Sequence, residues 1–355
     1  MLNFNEVLPG GAFRLIPIFT LWYYMYFKSK AEWTVNKLTR IYYMITSSKK
    51  LSKILQLNLK GLAAEDRFVD FPLQVPESFV ARIMPKDIND PLLLQVLPSK
   101  YELDAAPGFS IDPLMEKKYS PVAGLIHKYH GRVLLLVTNN CAVNCRFCFR
   151  RYSHEKVSDW QKVFSYIKND PTITEVILSG GDPLMLKPRE LKEIMDRLAA
   201  IHHVARIRIH TRVPIVMPER ITAKLLKIIL PALCRGGKVM PLVLVVHCNH
   251  PNEINIGVVK ALTLLYKQKI PLFNQSVLLH KVNDDSATLV ALSEKLFSAG
   301  VIPCYLHLLD KVKGAAHFQV NIAKAKRIYL EMQMRLPGYL VPKLVMEVKN
   351  RKKYV

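Results

Sequence analysis

The chain has 355 residues, half of them apolar, which is enough for one large domain or two ordinary ones with a sizeable core. Its 51 lysines and arginines against 28 aspartates and glutamates leave a formal charge of +23. The basic runs SSKKLSK and KNRKK are short and carry no interleaved aromatic platform, so the charge alone does not argue for nucleic-acid binding.

Near the N-terminus stands LIPIFTLWYYMYF, Leu15 to Phe27, apolar for thirteen residues between Arg14 and Lys28. A bilayer span needs about 20 residues, and this run contains Pro17 and is followed by no small-residue cleavage site. Residues 1–30 therefore read as an apolar extension outside the working fold, the favoured reading, or as a surface-seeking helix; no membrane partner is expected. From residue 31 to 125 the pattern is mixed and mainly helical. AEWTVNKLTRIYYMI and PESFVARI look helical, and DAAPGFSIDP is a connector punctuated by Pro, Gly and Asp.

After Arg132 the pattern becomes regular. Strands are predicted over 132–138, 175–179, 205–211, 241–247, 271–279 and 302–309. Helices are predicted in DWQKVFSYIK, PRELKEIMDRLAAI, ERITAKLLKIIL, NEINIGVVKALTLLYKQ, SATLVALSEKLFSAG and NIAKAKRIYLEMQM. Six β-then-α units imply parallel strands joined by right-handed crossovers, an incomplete (β/α)6 barrel instead of a closed eight-fold one. The barrel is placed over 126–320, with 321–355 as a C-terminal helix and tail. Polar motifs fall at the C-terminal ends of these strands: the cysteine loop, SGGDP, HTR, HCNHPNE, NQS and Asp310. That is where parallel α/β folds build their sites.

Six cysteines are present, and only Cys141, Cys145 and Cys148 cluster. Cys234, Cys248 and Cys304 stand singly in apolar surroundings and read as buried free thiols, which suits a reducing cytoplasm. The C-x3-C-x2-C spacing leaves three readings. Zinc would need a fourth ligand such as His154, and the three thiols could be unrelated. A [4Fe-4S] cluster fits better, because three thiolates leave one iron open to S-adenosylmethionine.

The motif after the first strand of a partial barrel resembles the radical SAM superfamily. HKYHGRVLLLVTNNCAVNCRFCFRRY, LSGGDPL, RIRIHTRVPIVMPERIT, HCNHPNEI, NQSVLL, VND, LDKVKGAAHF and GYLVPK are similar to the lysine 2,3-aminomutase family, over residues from about 31 to 353. APGFSIDPL and LDKVKGAAHF look most like the branch that makes β-lysine for modifying elongation factor P, paired with a lysyl-tRNA-synthetase-like ligase. The resemblance implies radical isomerisation of free L-lysine to β-lysine with a [4Fe-4S] cluster, S-adenosylmethionine, pyridoxal phosphate and an electron donor such as a flavodoxin.

Carried over by position, Cys141, Cys145 and Cys148 hold the cluster, while Ser179, Gly180, Gly181, Asp182 and Gln275 face S-adenosylmethionine. Lys128, Tyr129, Arg132 and Arg212 grip pyridoxal phosphate; Lys128 stands where arginine is common in the family. Arg150 clamps the substrate carboxylate, and Asp310 and Glu347 receive the distant ammonium, with Glu347 replacing an aspartate. The lysine that attaches pyridoxal phosphate is expected at Lys353, with Lys352 next, because GYLVPKLVMEVKNRKKYV departs from the family's tail. Other readings are an aminomutase for another amino acid, which the acidic pair argues against for glutamate, or a decayed basic protein of the translation machinery.

Overall fold

A computed structural model describes residues 43–58, 70–235, 238–348 and 351–355. The apolar extension and almost all of the expected helix over 31–45 lie outside the described residues. Where that segment re-enters, Met44–Ile45 is a short strand paired antiparallel with Val75–Pro76. The expected helix in PESFVARI is the single turn Glu77–Val80.

The body is one nine-stranded sheet. In chain order its strands are β1 Leu125–Tyr129, β2 Arg132–Thr138, β3 Glu175–Gly180, β4 Arg206–Thr211, β5 Leu242–His247, β6 Leu272–Leu278, β7 Ile302–Leu308, β8 Lys343–Val348 and β9 Arg351–Tyr354. They lie side by side in that same order. Strands β2 to β8 are parallel throughout, while β1 and β9 add an antiparallel strand at either edge. All six predicted strands are present, and β8 adds a seventh parallel one.

Between the parallel strands run α1 Trp160–Asn169, α2 Pro188–Ala199, α3 Ala223–Ile229, α4 Ile256–Tyr266, α5 Ser286–Ser298 and α6 Ile322–Arg335. Their starts are written in short polar side chains. Asp159, Thr222, Asn255, Asp285 and Asn321 each accept a first-turn backbone N–H, and Pro188 opens α2.

Strand register carries one face across the sheet. Arg132 sits opposite Glu175 and Leu136 opposite Ser179, Arg208 opposite Val243, and His247 opposite Gln275. Gln275 in turn pairs with Tyr305, and Tyr305 with Lys343. The alternate face holds Leu272, Leu278, Leu306 and Leu344, which are buried beneath the helices. On the first face, the Tyr129 hydroxyl of β1 donates to Glu347 of β8 at 2.8 and 2.9 Å. Side chains from opposite sides of the sheet therefore meet, so the sheet is curled and this face lines the interior of a partial barrel.

The loop after β2 cannot lean on regular secondary structure. It is pinned from the N-terminal side instead: Asn144 N–H bonds to Gln74 O at 2.9 Å and Arg146 N–H to Gln95 O at 2.9 Å. Beneath it Arg146 is fully buried and forked onto Glu102, 2.8 and 2.5 Å from its two oxygens, while Arg151 reaches the same carboxylate at 2.6 Å. Burial pushes the Glu102 carboxyl up, but the two guanidinium groups outweigh it and hold it below its ordinary range. Phe147 packs with Leu279, Val282, Val312, Ala315 and Phe318, tying the loop to the segments after β6 and β7.

Removing one partner of a buried charge cluster strands the others. Glu102→Ala is expected to lower unfolding stability by about 3–5 kcal/mol in denaturant titration, whereas an isolated surface pair yields under about 1 kcal/mol. A loss of the surface size would show that the loop is anchored elsewhere.

Candidate functional site

The site is assembled where the parallel strands end. Cys141, Cys145 and Cys148 lie in the loop after β2, all three free and partly buried. Gln74 Nε2 donates to Cys141 O at 2.5 Å, and Cys148 N–H to Cys145 O at 3.0 Å. Burial, then the neighbouring thiols, pushes Cys148 up to about 11, and burial raises Cys141 as well. Bare thiolates crowd one another here, a cost that bound cations would reverse. Among the described residues no group of three His, Cys, Asp or Glu side chains could hold a metal ion. Three thiols in one loop are by number and chemistry the donors that a [4Fe-4S] cluster with one open iron would take, so these residues fit such a group.

The glycine pair after β3 is explained by the same loop. A Cβ at Gly181 would lie 2.5 Å from Asn140 O, and Gly180 takes φ +103° against Thr138 O. Gly181 N–H bonds to Thr138 O at 2.6 Å and Asp182 N–H to Asn140 O at 2.8 Å, so SGGD is stitched to the start of the cysteine loop. Asp182 is buried with both oxygens engaged. It accepts from Leu184 N–H and the Thr211 hydroxyl on one, at 3.0 and 2.7 Å, and from Arg212 and Val213 N–H on the other, at 2.7 and 3.1 Å. It fastens the end of β3 to the end of β4.

Arg212 does not sit with Lys128, Tyr129 and Arg132. Its Nη1 lies 2.8 Å from Cys145 Sγ, while Nη2 donates to Gln95 Oε1 at 2.6 Å and to Glu253 Oε2 at 3.0 Å. Glu253, in HCNHPNE, also accepts from Asn249 and His250 N–H at 2.9 and 3.0 Å. Burial raises the Glu253 carboxyl, but the Arg212 charge overrides it and keeps the group below its ordinary range. Burial and Arg212 together push neighbouring His247 down to about 4, leaving it neutral.

A second cluster gathers on the interior face. Lys128 Nζ lies over the Tyr119 and Tyr129 rings at 5.7 Å, and Arg132 over the Tyr129 ring at 4.8 Å. Tyr129 holds Glu347, and burial followed by Glu347 raises its phenol above the ordinary range. Asp310 feels Glu347, Glu116, Arg150 and Lys128; burial first, then the two carboxylates, pushes it up to about 7. Arg150 Nη1 donates to the Ser179 hydroxyl at 3.1 Å, and its other edge grips Glu116 at 2.9 and 2.6 Å. Gln275 stands on this face between His247 and Tyr305.

In the C-terminal hairpin, Lys353 pairs with Met346 and Lys352 with Glu347. Glu116, Gln95, Glu253 and Glu102 were not among the predicted site residues. Glu253 lies in a motif marked only by its position, and the others stand alone in unpatterned sequence.

Residues 135–235 match the Radical SAM superfamily. The chain is 44% identical over 327 residues to the L-lysine 2,3-aminomutase of Escherichia coli (strain K12), covering 90% of this chain and 92% of that one. It is 43% identical over 335 residues to the L-lysine 2,3-aminomutase of Buchnera aphidicola subsp. Baizongia pistaciae, covering 92% and 96%. Against the Haemophilus influenzae L-lysine 2,3-aminomutase it is 42% identical over 325 residues, covering 88% and 93%. A three-thiol loop at the mouth of a curled parallel sheet and likeness along nearly the whole chain agree: the chain belongs to the L-lysine 2,3-aminomutase family of radical SAM enzymes, which are isomerases.

Proposed function

We propose that this chain isomerises L-lysine to β-lysine. The observation that carries the reading is the charge layout of one interior face: Arg150 at the cysteine loop, and Asp310 with Glu347 beyond it. A cation for a carboxylate and an acidic pair for a distant ammonium form a ruler for a long dibasic amino acid. Glutamate would bring a second carboxylate to that acidic pair.

Family membership implies a [4Fe-4S] cluster, S-adenosylmethionine and pyridoxal phosphate. When bound, they supply a one-electron route to a hydrogen-abstracting carbon radical and a conjugated ring that spreads the unpaired electron. Cys141, Cys145 and Cys148 would hold the cluster. Ser179, Gly180, Gly181 and Gln275 offer the surface beside it for S-adenosylmethionine, with Asp182 fixing that turn. Lys128 and Arg132, beside the Tyr129 phenol, suit a dianionic phosphate. Arg150 already holds a carboxylate, that of Glu116, by two bonds; the substrate carboxylate takes over bonds that Glu116 now makes.

The attachment lysine is expected at Lys353, with Lys352 next; both lie in β9, the strand paired antiparallel with β8. The APGFSIDPL and LDKVKGAAHF segments support a role in supplying β-lysine for elongation factor P, through a lysyl-tRNA-synthetase-like ligase and with a flavodoxin-type electron donor. The buried free thiol at Cys248 suits the cytoplasm. Among the described residues no helix is long and apolar enough to cross a membrane.

Three outcomes are expected. Anaerobic protein reconstituted with iron, sulfide, S-adenosylmethionine, pyridoxal phosphate, dithionite and L-lysine forms β-lysine, and omitting any one cofactor abolishes it. No product from a chain with intact cluster absorbance would overturn the proposal. Borohydride reduction of the pyridoxal-phosphate-loaded protein labels Lys353 in peptide mass mapping; a label on Lys352 would move the attachment by one residue, and none within 349–353 would refute the assignment.

The third outcome concerns Asp310, whose proton the folded chain binds more tightly than the unfolded chain, where the ordinary value is about 3.9. The contribution of Asp310 to stability without lysine is therefore present near pH 4 and lost as pH rises through about 7. Asp310→Asn should melt ~2–4 °C above wild type at pH 8, with the gap closing towards pH 4. It should also weaken lysine binding at least ~10-fold, and wild-type lysine affinity should fall below pH 7. A less stable Asp310→Asn at pH 8, or affinity flat from pH 6 to 8, would contradict this.

A further inference from the structure

Arg212 has an environment that neither phosphate binding nor plain core packing accounts for. It is 6% exposed, and its guanidinium lies between the Phe79 and Phe147 rings, 5.7 and 5.5 Å from their centroids. Both acceptors of Nη2 are buried: Gln95 and Glu253 are each 0% exposed. Gln95 is itself fastened, donating to Glu253 Oε1 at 3.2 Å and to Pro91 O at 3.1 Å. Arg82 braces the same corner from outside, bonding to Ile215 O at 2.8 Å and to the Glu253 carbonyl. With the backbone of Arg212 also held by Asp182, the guanidinium has little freedom to move. Its Nη1 lies 2.8 Å from Cys145 Sγ, and its Nε has no partner.

A buried, anchored cation aimed at one sulfur suits a task in which charge on that sulfur changes. Hydrogen bonds to the thiolates and net charge nearby set the potential of an iron–sulfur cluster, because they favour the form carrying the extra electron. We infer that Arg212 is a tuning and positioning residue for the cluster, donating from Nη1 to the Cys145 thiolate and raising the cluster's reduction potential, with Glu253 setting how much of that charge the cluster feels. This rests on the cluster reading of the three cysteines made above. It gives HTR and HCNHPNE one joint purpose: the arginine of the first is held by the glutamate of the second. It also assigns Arg212 to the cluster and away from the phosphate of pyridoxal phosphate.

The pair predicts opposite signs, which simple damage would not. Reconstituted wild type, Arg212→Gln, Arg212→Lys and Glu253→Gln are titrated anaerobically with dithionite, without S-adenosylmethionine. The reduced cluster is read by electron paramagnetic resonance and normalised to bound iron and sulfide. In Arg212→Gln the ratio of reduced to oxidised cluster at fixed potential should drop at least ~10-fold, equivalent to ~59 mV for one electron. Arg212→Lys, which keeps charge without the fork, should drop less, and Glu253→Gln should rise. If Arg212→Gln holds no cluster, Arg212→Lys and Glu253→Gln must still move in opposite directions. Ratios unchanged within ~3-fold, or all variants moving the same way, would overturn the inference while leaving the proposed function standing. A wild-type chain that assembles no cluster would refute the proposed function first and this inference with it.

Discussion

The site depends on a buried charge cluster holding a loop that has no regular structure of its own. Three thiols must stand at fixed positions over the barrel mouth, yet between β2 and α1 the chain makes no long helix or strand. Glu102, forked by Arg146 and approached by Arg151, supplies the missing rigidity from beneath. Such a cluster contributes little net stability compared with well-packed apolar residues, but it tolerates no partial removal. What it gives is geometry. Gly314, at φ +82°, lets the segment after β7 pass close: a Cβ there would lie 3.0 Å from an Arg151 nitrogen. The cysteine loop is thereby fixed both to the segment before the barrel and to the one after β7.

Above this anchor the parallel order does the gathering. Seven strands running the same way present seven C-terminal ends on one rim, and curling brings β1 within hydrogen-bond reach of β8. The interior is polar on purpose. Like charges at Asp310, Glu347 and Glu116 face each other, and burial adds to the strain, an arrangement that an ammonium group relieves. A site that binds a cation well is one that is uncomfortable without it. The interior face divides into two neighbourhoods: Arg212, Cys145 and Glu253 beside the cysteine loop, and Lys128, Tyr129, Arg132 and Glu347 near the hairpins. Arg150 touches Ser179 on the one side and, through Glu116, the acidic corner on the other.

Much of this was legible in sequence, for physical reasons that differ by element. Strands β2 to β7 are short β-branched runs between capped amphipathic helices, and both signals are local. Strand β8, in KLVMEV, sits after a Pro/Gly turn and before a basic run, so it read as a tail; β1, in LIHKY, was seen only as part of a cofactor motif. The cysteine loop, SGGDP, HTR and Asp310 were visible because each ends a strand. Glu102, Glu116 and Gln95 were not, since their meaning lies in partners far along the chain: Gln95 and Arg212 are 117 residues apart. Asp182 shows the reverse limit. Its motif marked it as part of the site, but only the folded chain shows that four protein donors already fill its oxygens.

The central claim is that the three-thiol loop carries a cluster with one iron left open beside Ser179, Gly180 and Gly181. Electron paramagnetic resonance of the anaerobically reduced protein, with and without S-adenosylmethionine, tests it most directly. The account predicts a [4Fe-4S] signal whose shape changes on adding S-adenosylmethionine and which is lost when Cys145 is replaced by alanine. A bound zinc on the three thiols, or a cluster signal indifferent to S-adenosylmethionine, would contradict it.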